Sequence, residues 1–265
     1  MLSPNDMAEK IVERLYGGSV AVEFLPDSHR YRLEGSREYL PSVTACTGIL
    51  DKSRFLIPWA VGLAERHVRA FLESSTGPFS REELVPILEE AVRQHQLKKE
   101  DAASVGGSVH AYAETFALAV ISRGEVPQIP EDADERVRAG VNAFLSWFVS
   151  NDVKFVHAEK LVYSREQGFA GLIDAVADVN GKRMLIDYKT SKGVYTEMRY
   201  QIAGYRIAFE EEHGDQFDGG VILHFDKESG VCTPHEYSRD ELIEDGQAFL
   251  ACLALKKREK LLAKA

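Results

Sequence analysis

The sequence predicts an α/β fold of the α+β kind, a mixed central sheet flanked by helices and preceded by a helical N-terminal half. Three observations carry that prediction. Asn180-Gly181 lies between two alternating apolar runs, the strongest short-range signal for a two-residue type I′ hairpin. A helical period over about residues 196–212 and an apolar run at 219–225 follow it, and a hairpin, a helix and a return strand make a mixed α/β core. Upstream, residues 44–152 read as helices broken by short polar stretches.

The elements follow in order. His29 to Val43 reads as a hairpin, with Tyr31 and Leu33 alternating before Glu34-Gly35-Ser36 and Tyr39-Leu40 after it. Ser42 is the N-cap of a short helix from Val43 to Leu50, and Pro58 is an N1 proline for a longer helix through Leu72. Ser80-Arg81-Glu82-Glu83 is a capping box for a helix reaching about Leu97. Helices from Asp101 to Ile121 and from Asp132 to Phe148 complete the helical part. From Lys154 the period turns to alternation, giving strands at 154–164, 170–179 and 183–189, the 196–212 helix, strands at 219–225 and 231–237, and a helix from Arg239 onward. One domain is expected over 1–265, with a helical portion at 44–152 forming a wall or arch and an α/β core at 153–265. The run Lys256-Lys257-Arg258-Glu259-Lys260 suits a helix C-terminus and reads as solvated charge.

Composition sets limits on function. With 45% hydrophobic and 28% charged residues, the chain is ordinary for a soluble globular protein. No apolar run approaches the roughly 20 residues that span a bilayer, and Met1 to Tyr16 is of mixed charge without a signal-like apolar core, so no membrane partner and a cytoplasmic location are expected. Cys46, Cys232 and Cys252 are far apart and suggest neither a disulfide framework nor a zinc or iron-sulfur site. A net charge of −10 argues against nonspecific coating of nucleic acid, yet it is compatible with a metal-dependent nuclease, whose site concentrates acidic residues.

The hairpin register makes the chemical prediction. Residues equidistant from Asn180-Gly181 face one another, so Asp174 falls opposite Asp187 and Leu172 opposite Lys189. Val176/Leu185 and Asp178/Arg183 share that face; Ile173/Tyr188, Ala175/Ile186 and Ala177/Met184 form the other, which is apolar enough to be the core side. Like charges directly opposed are destabilising, so the aspartate pair needs compensation. A divalent metal supplies it; a solvated edge or one protonated carboxyl would also relieve the repulsion.

Other residues join this pair. Gly106, His110 and Glu114 recur at i, i+4 on one helix face, offering an imidazole ligand and a carboxylate to orient it or bind metal through water. The same residues suit a surface or capping pair. Gln201 and Tyr205 repeat the spacing on the helix after the hairpin, the glutamine able to bond a phosphate or position Lys189. Glu159 is a secondary candidate because its register passes through the Glu166-Gln167-Gly168 turn.

The motif order Gly106-x-x-x-His110, Gly171-x-x-Asp174, Asp187-Tyr188-Lys189 and Gln201-x-x-x-Tyr205 resembles the PD-(D/E)XK nuclease superfamily in its RecB-like branch. His29-Arg30-Tyr31 with Leu40-Pro41-Ser42-Val43-Thr44, followed by Trp59, looks like the phage-type exonucleases and the mitochondrial genome maintenance exonuclease. The chain departs from the superfamily name in having Ile173 before Asp174, and it lacks the four cysteines of the iron-sulfur subgroup. The resemblance implies a restriction-endonuclease-like sheet, with Mg²⁺ or Mn²⁺ held by Asp174, Asp187, the Tyr188 carbonyl and His110. It further implies Lys189 stabilising developing charge or helping to activate water, with Gln201 and Tyr205 in the catalytic set. Oxygen ligands suit either cation and an imidazole favours Mn²⁺. The implied activity is a DNA exonuclease on single strands or duplex ends; the alternatives are a structure-selective endonuclease and a nuclease-fold protein that binds nucleic acid without cutting. Phe55, Trp59 and Tyr112 are offered as base-stacking groups or as core.

Overall fold

The computed structural model describes residues 10–226 and 229–263. The chain divides into two compact units: residues up to Leu50 together with Val109 onward, and the insertion Asp51–Ser108.

The first unit contains two sheets. The smaller runs β1 (Ile11–Leu15), β2 (Val20–Leu25), β3 (Arg30–Leu33) and β4 (Tyr39–Leu40) in sequence order. The β3–β4 hairpin was expected from the sequence; β1 and β2 were not. Their signal is Gly17-Gly18, which turns the chain at φ 65° and 90°, a conformation glycine adopts without steric penalty. Leu15, Val22, Phe24 and Tyr31 of this sheet pack with Leu161, Tyr163 and Ala170 of the larger one.

The larger sheet runs β5 (Val153–Ser164), β6 (Phe169–Val179), β7 (Lys182–Lys189), β8 (Gly219–Asp226) and β9 (Val231–Ser238) in that order. All neighbours are antiparallel except β7 and β8, which are parallel and joined by the crossover helix α5 (Thr196–His213). At the β6–β7 turn Asn180 and Gly181 take φ 50° and 82°, as a type I′ turn requires. Pairing then proceeds from Val179↔Lys182 to Ala175↔Ile186 in the register the sequence predicts.

Two corrections concern the faces of that hairpin. Both are buried, not one: Val176 and Leu185 pack with α1 (Val43–Thr47), α5 and α6 (Arg239–Leu262), while Ala175, Ala177 and Ile186 pack under Val109–Ala117 of α3 (Arg81–Ser122) and under α4 (Glu135–Ser150). A parallel crossover places helices over the sheet, so strict alternation of apolar and polar residues is not required. Ile173 joins Val176 and Leu185 instead of Ala175, because regular pairing lapses at Asp174 and the strand turns over there.

Helix caps follow the sequence more closely than helix bounds. Ser42 Oγ accepts from Ala45 N at 3.0 Å, and Ser238 and Glu241 form a capping box at the start of α6. α1 ends at Thr47, short of Leu50. In the insertion, α2 spans Ser53–Ser74, and Pro58 lies inside it instead of at N1. The start moves upstream because the Asp51 carboxylate accepts from Ser53 N at 2.8 Å and from its hydroxyl at 2.9 Å. The helices expected at 81–97 and 101–121 are one helix, α3 (Arg81–Ser122). Its Ser80–Glu83 capping box is present at 2.8 and 3.2 Å, and the Lys98-Lys99-Glu100 stretch between the expected pieces consists of good helix formers. Among the described residues no helix is long and apolar enough to cross a membrane. All three cysteines are free.

Candidate active site

Asp174 occupies a step of β6 where both neighbouring ladders lapse. Pairing with β7 stops at Ala175↔Ile186; pairing with β5 runs through Ala158↔Ala175 and resumes at Lys160↔Ile173. Glu159, opposite Asp174 by that register, sits at φ 49°, a left-handed conformation uncommon for glutamate. Tyr188 N, which a continued ladder would direct to a strand carbonyl, donates instead to Asp174 Oδ2 at 2.7 Å. The Asp174/Asp187 ladder pair expected from the turn is therefore not formed, because the Asp174 carboxylate itself takes the backbone donor.

Gly171 is required by close packing. A Cβ there would come within 2.6 Å of Tyr205 Cε1 and 2.9 Å of Val43 Cγ2, so the buried Tyr205 ring seats directly on the β6 backbone three residues before Asp174. Burial and the nearby Asp187 and Asp174 charges hold the Tyr205 hydroxyl well above its ordinary pKa. Gln201, one turn earlier, donates through Nε2 to Thr47 Oγ1 at 3.0 Å, so its amide ties α5 to α1 and is not engaged with Lys189.

The charged groups form two linked pairs. His110 Nε2 stands 3.0 Å from Asp174 Oδ2, and Lys189 Nζ stands 2.5 Å from Asp187 Oδ2. Asp187 is 2% exposed, and its Oδ2 is held by the Lys189 ammonium. Burial raises the Asp187 carboxyl to about 6; Lys189 pulls it down and the Asp174 charge pushes it up. Burial alone would raise Asp174 too, but His110, Lys189 and the Tyr188 amide outweigh it, and its pKa is lowered. Burial would lower His110, yet the Asp174 charge and contact, with Glu159, carry it up to about 9. Lys189 likewise resists its burial through Asp187 and Asp174 and stays protonated.

The two secondary candidates prove close to this centre. Ligand atoms of His110, Glu114 and Glu159 all lie within 4.8 Å of one another. Burial, then the charges of Glu114 and Asp174, lift Glu159 to about 8; burial chiefly raises Glu114. Adjacent like-charged carboxyls with raised pKa values are groups that a cation would relieve. The Tyr188 ring packs edge-on to His110 at 5.5 Å and against Phe144 and Phe225.

Two participants had no site role from sequence. Thr47 is the partner of Gln201, a contact between distant parts of the chain that no local pattern announces. Tyr31, whose hydroxyl lies 3.4 Å from His29 Nε2, is near enough for the Glu159 and Asp174 charges to act on it. Of the aromatics offered for stacking, Tyr112 is packed between Phe116 and Phe144 and donates its hydroxyl to Pro127 O at 2.9 Å, a structural placement. Phe55 is 72% exposed on the insertion.

No family model matches the chain, and no curated protein matches it. Among solved structures, LHK-Exo in complex with dAMP is similar at a TM-score of 0.34 and 15% identity, over 61% of this chain and 90% of that one. The structure of SSO0001 is similar at a TM-score of 0.25 and 14% identity, over 54% of this chain and 74% of that one. Likenesses at this level decide neither fold nor chemistry, which rest on the geometry above.

Proposed function

We propose that the chain is a metal-dependent deoxyribonuclease, an exonuclease hydrolysing phosphodiester bonds in single-stranded DNA or at duplex ends. The observation that carries this reading is the gathering of buried and half-buried acids: Asp187, 2% exposed and raised to about 6 by burial and the Asp174 charge even with Lys189 2.5 Å away, stands with Asp174, and ligand atoms of Glu114 and Glu159 lie within 4.8 Å of His110. Like-charged carboxyls held together in a buried setting are groups that a cation relieves. The donor set, carboxylate oxygens with one imidazole, is hard and suits a divalent ion.

Asp174, Asp187, His110 and the Tyr188 carbonyl would hold Mg²⁺ or Mn²⁺, with Glu114 and Glu159 as further carboxylates. Such an ion, when bound, supplies an acidified water and neutralises charge at the phosphate being cut. The residues do the rest. Lys189, kept protonated by two aspartates, presents a fixed positive charge to the developing negative charge on phosphate. Asp174 holds Tyr188 N and His110 together, which fixes the end of β7 and therefore Lys189. Tyr205 and Gln201 anchor α5 on Gly171 and Thr47, keeping the crossover helix seated beside the pair.

A time course on end-labelled linear and circular single-stranded DNA tests the reading. With Mn²⁺ the linear strand should be degraded and the circle spared; EDTA or Asp187→Ala should abolish degradation. Wild-type rates from Asp187→Ala would overturn the site assignment, and cleavage of the circle would make the enzyme an endonuclease.

A further inference from the structure

A concave surface lies between the β3–β4 hairpin and the last turns of α6. It has a volume of about 420 Å³ and is lined by Leu33, Tyr39, Pro41, Gly168, Lys257 and Lys260, among others. Two lysines, Lys257 and Lys260, and one acid, Glu38, line it, in a protein of net charge −10. The Glu38 carboxylate is 3.9 Å from Lys260. The two lining lysines are held in place: Lys257 Nζ donates to Gln167 O at 2.6 Å and Lys260 Nζ to Tyr39 O at 2.7 Å. Each ammonium has three donors, so backbone tethering fixes its position while leaving capacity for an anion. Tyr39 is 36% exposed, with the Arg30 guanidinium 5.0 Å from its ring centroid.

The groove is tied to the strand that carries Asp174. Ala170 N donates to Pro41 O at 3.0 Å, and Ser42 bridges Ala170 in parallel. From Ala170 the strand runs to Asp174, about 13 Å at about 3.3 Å per residue, a span that a few nucleotides cover.

We propose that this groove binds single-stranded DNA a few nucleotides from the bond being cut, with a base stacked on Tyr39 and phosphates on Lys257 and Lys260. The proposal deepens the nuclease reading of the Asp174 site and rests on it for the identity of the strand. Exposed aromatics beside tethered cations are what a single strand requires, since every base has a π-face and every linkage a charge. Leu33 and Pro41 give the groove an apolar floor suited to the bases.

Fluorescence anisotropy of the full chain with a labelled oligothymidylate, in EDTA and over a salt series, tests it without any cleavage. Lys257→Gln/Lys260→Gln should weaken binding about tenfold and reduce the slope of log affinity against log salt by about 1.4, since each phosphate contact on a single strand contributes about 0.7. Tyr39→Leu should weaken binding about tenfold with the slope unchanged, the signature of lost stacking. Affinities within twofold of wild type in both variants would overturn the proposal, as would a wild-type chain that does not bind the oligonucleotide. A chain that binds through these residues but fails to cut with Mn²⁺ leaves the groove standing and removes the nuclease reading.

Discussion

Asp174 does three things at once: it accepts a backbone amide, holds His110 and raises the pKa of Asp187. The sequence makes the Asp174 and Asp187 neighbourhood legible because side chains alternate along strands and Asn-Gly fixes the register. It does not reveal the lapse of the ladder, which depends on the left-handed Glu159 and on a register shift between Phe155 and His157. For the same reason Glu159 reads as secondary from sequence yet lies within ligand distance of His110 and Glu114. In the proposed mechanism Lys189 stabilises the developing charge, so Lys189→Met should lower the steady-state cleavage rate by about 10²–10³ while leaving calorimetric Mn²⁺ affinity within a few-fold. Gly171→Ala places a methyl inside the Tyr205 ring, and overpacking of this kind costs about 1–3 kcal/mol; chemical denaturation should report that loss.

At the scale of elements, the β6–β7 hairpin and the α5 crossover are the framework on which the site is hung. Both were readable because their signals are local: Asn180-Gly181 for the turn, and the change of period for the helix. Elements whose bounds depend on competition were not. α3 absorbs two expected helices because Lys98-Lys99-Glu100 offers no break, and α2 begins at Ser53 because Asp51 outcompetes Pro58 as a start signal. β1 and β2 escaped for lack of an apolar alternation as clear as that around Asn180. Gly181→Val would place a β-branched residue at φ 82°; left-handed backbone of this kind costs about 1–2 kcal/mol. Its thermal midpoint should fall, and the turn's loosening should lower activity in proportion to the fraction unfolded.

Across the whole molecule, acid and base behaviour links the site to stability. Glu159 at about 8 and Asp187 at about 6 hold protons in the folded state that an unfolded chain has already released at about 4. Their contribution is therefore fully present below about 4 and is lost as pH rises through about 6 and then about 8. His110 at about 9 acts in the same sense, losing its contribution between about 6.5 and 9. The metal-free protein should accordingly lose thermal stability from pH 5 to pH 8.5. On the proposed reading a cation takes the protons' place, so the rise in melting temperature on adding Mn²⁺ should grow over the same interval; an increment that is constant or shrinks with pH would contradict this. Central to every scale is the proposal that the Asp174–Asp187 pair binds a divalent cation. An anomalous difference map from crystals soaked in Mn²⁺ tests that most directly: the account predicts a peak bounded by Asp174, Asp187 and His110, and a map with no peak there, or a peak held by Glu114 and Glu159 without either aspartate, would contradict it.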